Sequence, residues 1–343
     1  PDMARWAGCG LLTILTAMPA LCDGWDPHLA ARYLDSRQKD WFAWKAAASP
    51  DGPCVSCHTG LTYLLARPAL RQKLGEAEPT VWETGLLDRL KARAGEKRPG
   101  VLQGVEATFT ALFLAREDAG RATFRESTRR AFDQLWALRT SDGGARAWYS
   151  AQLDPWETPE AFDWGGALAA LAAGTAPASY LSEPAVRGNV KALASSLQDG
   201  FETKPLHHRL GVLWASSKLP AVLPEAMRQS VIDETLRLQE ADGGWAIGSL
   251  GPWSPHEQAL PAPGSSAYAT GYTAWVLQAA GVPPASPALQ RAFLWLKAHQ
   301  DPASGSWPGN SMNKRYPEAS MEAKFMQDAA TAFASLALLA GGQ

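Results

Sequence analysis

Apolar residues along this chain recur with a helical period and nowhere sustain the alternation of a strand, so the pattern predicts an all-α protein. It reads as helices in pairs. Residues 80–94 pair with 102–119, 186–197 with 206–217, 228–240 with 266–280, and 291–300 with 324–340, while 163–173 is the second helix of a further pair. The second helices are rich in alanine and stop at Gly174, Gly281 and Gly341, where glycine supplies a C-terminal stop signal.

Between the members of two pairs lies a recurring turn. It reads Ala241-Asp242-Gly243-Gly244-Trp245 in one copy and Gly305-Ser306-Trp307 in the next, with a weaker copy at Ser141-Asp142-Gly143-Gly144 whose Trp148 is displaced. Repeats of this length are single helical hairpins, each too short to bury its apolar face alone. About five or six of them predict an α/α toroid, two concentric rings of helices closed on themselves. An open α-solenoid is the alternative. Alanine and glycine on the second helices favour closure, because they permit the close approach an inner ring demands.

Composition narrows the function classes. With 343 residues and 46% hydrophobic content there is ample material for a core. The 32 basic and 34 acidic residues are interspersed and give a net charge of −2, with no basic stripe, so nucleic acid is not an expected partner. At the N-terminus, Arg5 followed by the apolar run Trp6 to Ala17 and by Ala20-Leu21-Cys22 reads as a signal peptide over residues 1–22, with translation starting at Met3. The mature chain is then periplasmic or secreted. Cys22 invites a lipoprotein reading, which the bulky Leu21 before it disfavours. No later stretch has the length of a transmembrane span.

The one motif that carries chemistry is Cys54-Val55-Ser56-Cys57-His58. C-x-x-C-H is the attachment sequence of a c-type haem: two thiols add to the porphyrin vinyl groups, and the histidine ligates iron. Three readings compete. A redox C-x-x-C is expected beside a βαβ pattern, which is missing here. A structural zinc site needs a fourth ligand, and no further cysteine follows in the chain. A local disulfide or free thiols is the bland one. The expectation is one covalent haem c, held by Cys54, Cys57 and His58 on an N-terminal segment over 23–75 that docks on a toroid over 76–343. The sequence leaves the sixth iron ligand open among His28, His207, His208, His256, His299, Met312, Met321 and Met326. Residues 59–66 predict a helix broken near Pro68.

Arg291-Ala292, Trp295-Leu296, Gln300, Gly305 and Trp307 resemble the QW motif of squalene-hopene and related terpenoid cyclases, and Gln239, Gly243 and Trp245 carry its latter half. The resemblance spans roughly residues 125–342. It implies the toroid shared by those cyclases and protein prenyltransferase β subunits, with each Gln tied to the end of the next helix and each Trp stacked. It does not imply their chemistry. The D-x-D-D acid motif of squalene-hopene cyclases is absent; Asp154-Pro155-Trp156-Glu157 and Asp163-Trp164-Gly165-Gly166 are the nearest acidic runs. The whole chain looks like secreted bacterial proteins that join cyclase-type repeats to a c-type haem site.

Two functions follow as expectations. One is an electron-transfer protein exchanging electrons with a periplasmic redox partner. The other is a toroid that holds an apolar, isoprenoid-like small molecule, either as a haem-dependent oxidoreductase or as a cyclase-like ligand-binding module without a redox role. The starts of the second helices carry Glu106, Asp163, Lys204, His207, His208, Tyr268 and Asp328, which a toroid would gather at one mouth. The same residues also serve as plain helix caps.

Overall fold

The computed structural model describes residues 24–48, 52–96, 102–138, 154–157 and 161–343. The expected signal peptide and the weak turn copy at Ser141 to Trp148 lie outside the described residues. Thirteen α-helices are present among those described: α1 (Pro27–Ala43), α2 (Gly60–Leu74), α3 (Val81–Arg93), α4 (Leu102–Glu117), α5 (Glu126–Ala137), α6 (Ala161–Thr175), α7 (Ala178–Leu181), α8 (Pro184–Gln198), α9 (Leu206–Ser216), α10 (Glu225–Arg237), α11 (Ala267–Ala279), α12 (Pro287–Ala298) and α13 (Phe325–Ala340). The described residues contain no strand, only an isolated bridge between Ala246 and Ser265.

Six of these helices form an inner ring. Helices α6, α9, α11 and α13 are buried on nearly every side, as are most of α2 and the described side chains of α4. A helix apolar all round has to sit inside a larger core. Neighbours in the ring are α4 with α6, α6 with α9, α9 with α11, α11 with α13, and α13 with α2. The outer helices α1, α3, α5, α8, α10 and α12 each pack one face on this ring. A β-carbon added at Gly271 on α11 would lie 2.5 Å from the Ala334 amide nitrogen of α13, so this pair needs its glycine.

The tryptophan turns bind one hairpin to the next in a repeated way. Gln239 Nε2 donates to the carbonyls of Gly243 and of Ala288, at the start of α12 (2.8 Å each). Gln300 Nε2 donates to the carbonyls of Gly305 (2.9 Å) and of Asp26, the residue that caps α1 (3.0 Å). Trp245 Nε1 donates to Thr235 O and Trp307 Nε1 to Leu296 O, each fixing the end of the preceding outer helix. The amides of the same two tryptophans donate to Thr270 and Thr331 on the inner helices.

The last turn therefore reaches the first helix. Gly305 approaches α1 so closely that a β-carbon there would meet Leu29 Cβ at 2.3 Å. Buried Arg37 on α1 pairs with buried Asp328 on α13 at 2.7 Å. The segment expected as an N-terminal arm is thus the hairpin that closes the ring, and one hydrophobic core runs across the boundary expected between residues 75 and 76. Helix α2 also continues through Pro68 to Leu74 rather than stopping near it. Its packing against α13 and α1 holds it past the missing amide.

Candidate functional site

The loop over residues 52–59 is tied down from several sides before α2 begins. Trp41 Nε1 of α1 donates to Cys54 O at 2.7 Å, and Arg93 of α3 donates to Gly52 O at 3.0 Å. Ser56 Oγ accepts from the amides of Thr59 and Gly60, supplying the cap that Thr59 itself does not give. Thr59 Oγ1 donates to Asp328 Oδ2 at 2.7 Å. Asp328 also accepts from Tyr33 (2.8 Å) and from Arg37 through Nε and Nη2 (2.7 and 3.1 Å), so one buried carboxylate joins α1, α13 and the loop.

His58 lies at the head of an inner helix and is 2% exposed. Its ring stacks on Phe325 (centroids 5.2 Å apart, planes at 14°), and Trp156 meets it edge-on at 5.0 Å. Cys57 Sγ is 3.1 Å from Nδ1. Nε2 is buried without a hydrogen-bond partner, and Asp154 Oδ2 stands 3.5 Å away, a charge contact rather than a hydrogen bond. Burial opposes the charged imidazolium, but Cys57, Asp154 and Glu157 outweigh it and raise the pKa of His58. Asp154 is held by Ser311 Oγ (2.7 Å) and the Met312 amide (2.9 Å), both on its Oδ1. Burial raises the pKa of Glu157, with His58 lowering it and Asp154 adding to the rise. Donor atoms of Cys57, His58 and Glu157 all lie within 4.8 Å of one another.

Beyond Trp156 the middle of the ring is filled with aromatic side chains. Trp156 packs on Trp164 at 5.6 Å and on Tyr268 at 5.3 Å. His207 Nε2 and the Tyr268 hydroxyl share a hydrogen bond of 2.7 Å, Tyr272 donates to His207 O at 3.1 Å, and Phe333 closes against both tyrosines. Burial, with His208 beside it, holds the His207 pKa well below the usual imidazole value. Burial and then Lys204 depress that of His208 to about 3; its two ring nitrogens are buried without partners.

The expected gathering at one mouth is present in part. Thr59 meets Asp328, His207 meets Tyr268, and Lys204 pairs with Asp163 at 3.0 Å. Glu106 instead pairs with Arg93 at 2.9 Å. Among the candidates for a sixth ligand, His28, His256 and His299 are exposed, and His299 stacks on Trp295. Met321 accepts from Arg37, and Trp156 lies against both His207 and His58. Met312 is joined to the site through its amide on Asp154. Sequence reasoning missed Asp154, Trp156 and Glu157 as partners of His58; they were weighed only as a failed acid motif.

The donor types are those of a c-type haem attachment, while Phe325, Trp156 and Asp154 pack around the buried imidazole. Cys54 and Cys57 are unpaired and half-buried, and the orphaned Nε2 is the atom that would ligate iron. Burial, together with Glu106 and Cys57, pushes the Cys54 thiol up to about 11. On the Nε2 side, Asp154 and Trp156 hold the space.

No protein-family profile matches the chain, and no curated protein matches it. Solved structures do. The ent-copalyl diphosphate synthase from Streptomyces platensis superposes with a TM-score of 0.51 at 19% identity, covering 82% of this chain and 50% of the synthase. This chain therefore spans about half that protein's length. The GH76A alpha-1,6-mannanase from Salegentibacter sp. HEL1_6 superposes with a TM-score of 0.54 at 11% identity, covering 92% of this chain and all of the mannanase. At these identities the likeness shows the α/α toroid and nothing of the chemistry, as two neighbours named for unrelated reactions make plain.

Proposed function

We propose that this chain is an exported toroid carrying one c-type haem, with Cys54 and Cys57 as the thioether residues, His58 Nε2 as the iron ligand, and one-electron exchange with a periplasmic redox partner as its role. The observation that carries the reading is the placement of the C-x-x-C-H motif at the head of an inner helix, where His58 Nε2 is buried without a hydrogen bond, in charge contact with Asp154, beside two thiols free of disulfides. A bound haem would supply an Fe(III)/Fe(II) couple there. The chain's own residues hold the loop: Trp41 and Arg93 fix its backbone, Asp328 anchors Thr59, and Phe325 supports the imidazole face. Fully buried aromatics pack the middle of the ring, which favours electron exchange over turnover of a substrate inside it. Export rests on the N-terminal sequence. No helix among the described residues is long and apolar enough to cross a membrane.

A second reading has its own support. Trp156, on the four described residues Asp154 to Glu157, packs on Trp164 and Tyr268, so an apolar ligand in the centre would compete with this one side chain for their rings. One solved neighbour of this fold is an ent-copalyl diphosphate synthase, the source of the isoprenoid-like choice of occupant. The ring would then be a ligand-binding module or a haem-dependent oxidoreductase.

Expression with haem-maturation machinery, followed by a pyridine haemochrome spectrum and a reduction titration, tests the first reading. The expected result is a c-type spectrum that survives denaturation. A folded protein that loses all haem on denaturation overturns it. Addition of geranylgeraniol separates the two readings, since only an interior ligand site lets the alcohol change the spectrum or the potential.

A further inference from the structure

Four polar groups from two distant parts of the chain meet at the head of α2. Cys57, His58 and Glu157 place one donor atom each within 4.8 Å of the others, and Asp154 Oδ2 is 3.5 Å from His58 Nε2. An acidic cluster alone would mean little, because exposed carboxylates gather without binding anything. Here the imidazole is 2% exposed, its Nδ1 lies 3.1 Å from Cys57 Sγ, and its Nε2, on the Asp154 side, has no hydrogen-bond partner. Burying polar and ionic groups together is costly unless each is paired. A cation coordinated among Cys57, His58 and Glu157 would give the buried imidazole and carboxylate a shared partner.

The donor types select the cation. One thiolate, one imidazole and one carboxylate suit a borderline metal of the zinc class, whereas magnesium and calcium take oxygen ligands almost exclusively. Three protein ligands leave a fourth tetrahedral position for water or for Asp154, the arrangement of reactive zinc sites rather than of closed structural ones. The zinc reading of the sequence failed for want of a fourth ligand. It overlooked carboxylates about a hundred positions away, which no local spacing could reveal.

We infer that the haem-free chain binds a divalent cation of the zinc class through Cys57 Sγ, the His58 imidazole and the Glu157 carboxylate, with Asp154 at the edge of the site. This reaches beyond the haem reading and does not depend on it. His58 serves one occupant at a time, so cation and haem exclude each other. Two residues separate the proposals: Cys54 belongs only to haem attachment, and Glu157 only to the cation site.

The test is a Co2+ titration of the full, reduced, haem-free chain under anaerobic conditions, followed by displacement with Zn2+. One equivalent should bind, with a sulfur-to-cobalt charge-transfer band and the visible bands of tetrahedral cobalt. C54S should behave as the wild type, C57S should lose the charge-transfer band, and E157Q should weaken binding at least about 10-fold. Far-UV circular dichroism checks that each variant is folded, and E157Q, a near-isosteric change at a partly buried position, keeps the test decisive if C57S is not folded. The inference is overturned if no cation binds, if the band persists in C57S, if E157Q binds as tightly as wild type, or if C54S loses as much as C57S. Covalent haem measured on the matured wild type and C54S reports on the haem reading separately. Cobalt binding without any haem attachment would sink that reading and leave this one standing.

Discussion

Gln300 and Asp26 exchange two hydrogen bonds across 274 positions of sequence: the Asp26 amide donates to Gln300 Oε1 at 2.7 Å, and Gln300 Nε2 donates to Asp26 O at 3.0 Å. The glutamine follows the end of α12 and the aspartate caps α1, so the pair joins these two outer helices. Replacing Gln300 with Ala should cost about 1–3 kcal/mol, since it leaves partly buried backbone groups without partners. Urea unfolding measures it. An unchanged midpoint would mean that α1 is held by its other contacts alone.

Asp328 should be the costlier loss. Asp328→Asn leaves Arg37 buried beside a neutral amide, and breaking a buried ion pair costs about 3–5 kcal/mol. Because Thr59 hangs from the same carboxylate, the Cys57 and Cys54 thiols should react faster with an aromatic disulfide in D328N. Equal thiol rates would show that Asp328 supports the helices without ordering the loop.

Gly271→Ala exchanges a poor helix former for the best one, yet should destabilise. Its new β-carbon meets the backbone of α13 at 2.5 Å, where no flexible side chain can give way, so α11 and α13 must part. The expected loss is about 1–3 kcal/mol by thermal melting. A raised melting temperature would contradict the close inner ring.

His208 predicts an acid-side weakness. Its pKa falls from the usual 6.5 to about 3 on folding, because burial disfavours the charged ring. Below pH 6.5 the unfolded chain gains a proton the folded one refuses, so stability drops as pH falls, by about 2 kcal/mol between pH 6.5 and 5. His207, shifted the same way, adds to the slope. His208→Leu should flatten the curve over this window. An unaltered slope in H208L would assign the acid sensitivity elsewhere.

The repeats were legible because each tryptophan turn is local: Gln, Gly and Trp span eight residues from Gln300 and seven from Gln239, and glycine marks where α11 and α13 stop, although α6 runs one residue past Gly174. The helix 266–280 and the helix 324–340 match α11 and α13 to within a residue or so at each end. Membership of α1 and α2 in the ring was not legible, since that hairpin carries no such turn of its own. Its only signal was that the last glutamine, Gln300, needed a helix start to bind. At the site, Cys54, Cys57 and His58 announced themselves by spacing. Asp154, Trp156 and Glu157 did not, because a tertiary contact from an irregular segment leaves no period in the sequence. They drew notice only as an acidic run that failed to match an acid motif.

The proposed c-type haem is a porphyrin bonded to both thiols of the α2 head. Intact mass spectrometry of the denatured chain, produced with haem-maturation machinery, tests it most directly. Wild type should carry the added mass of one haem, localised to the peptide with Cys54 and Cys57, and C54S should no longer carry it through two thioethers. A wild-type chain at its bare polypeptide mass, folded and with both thiols free, would contradict it.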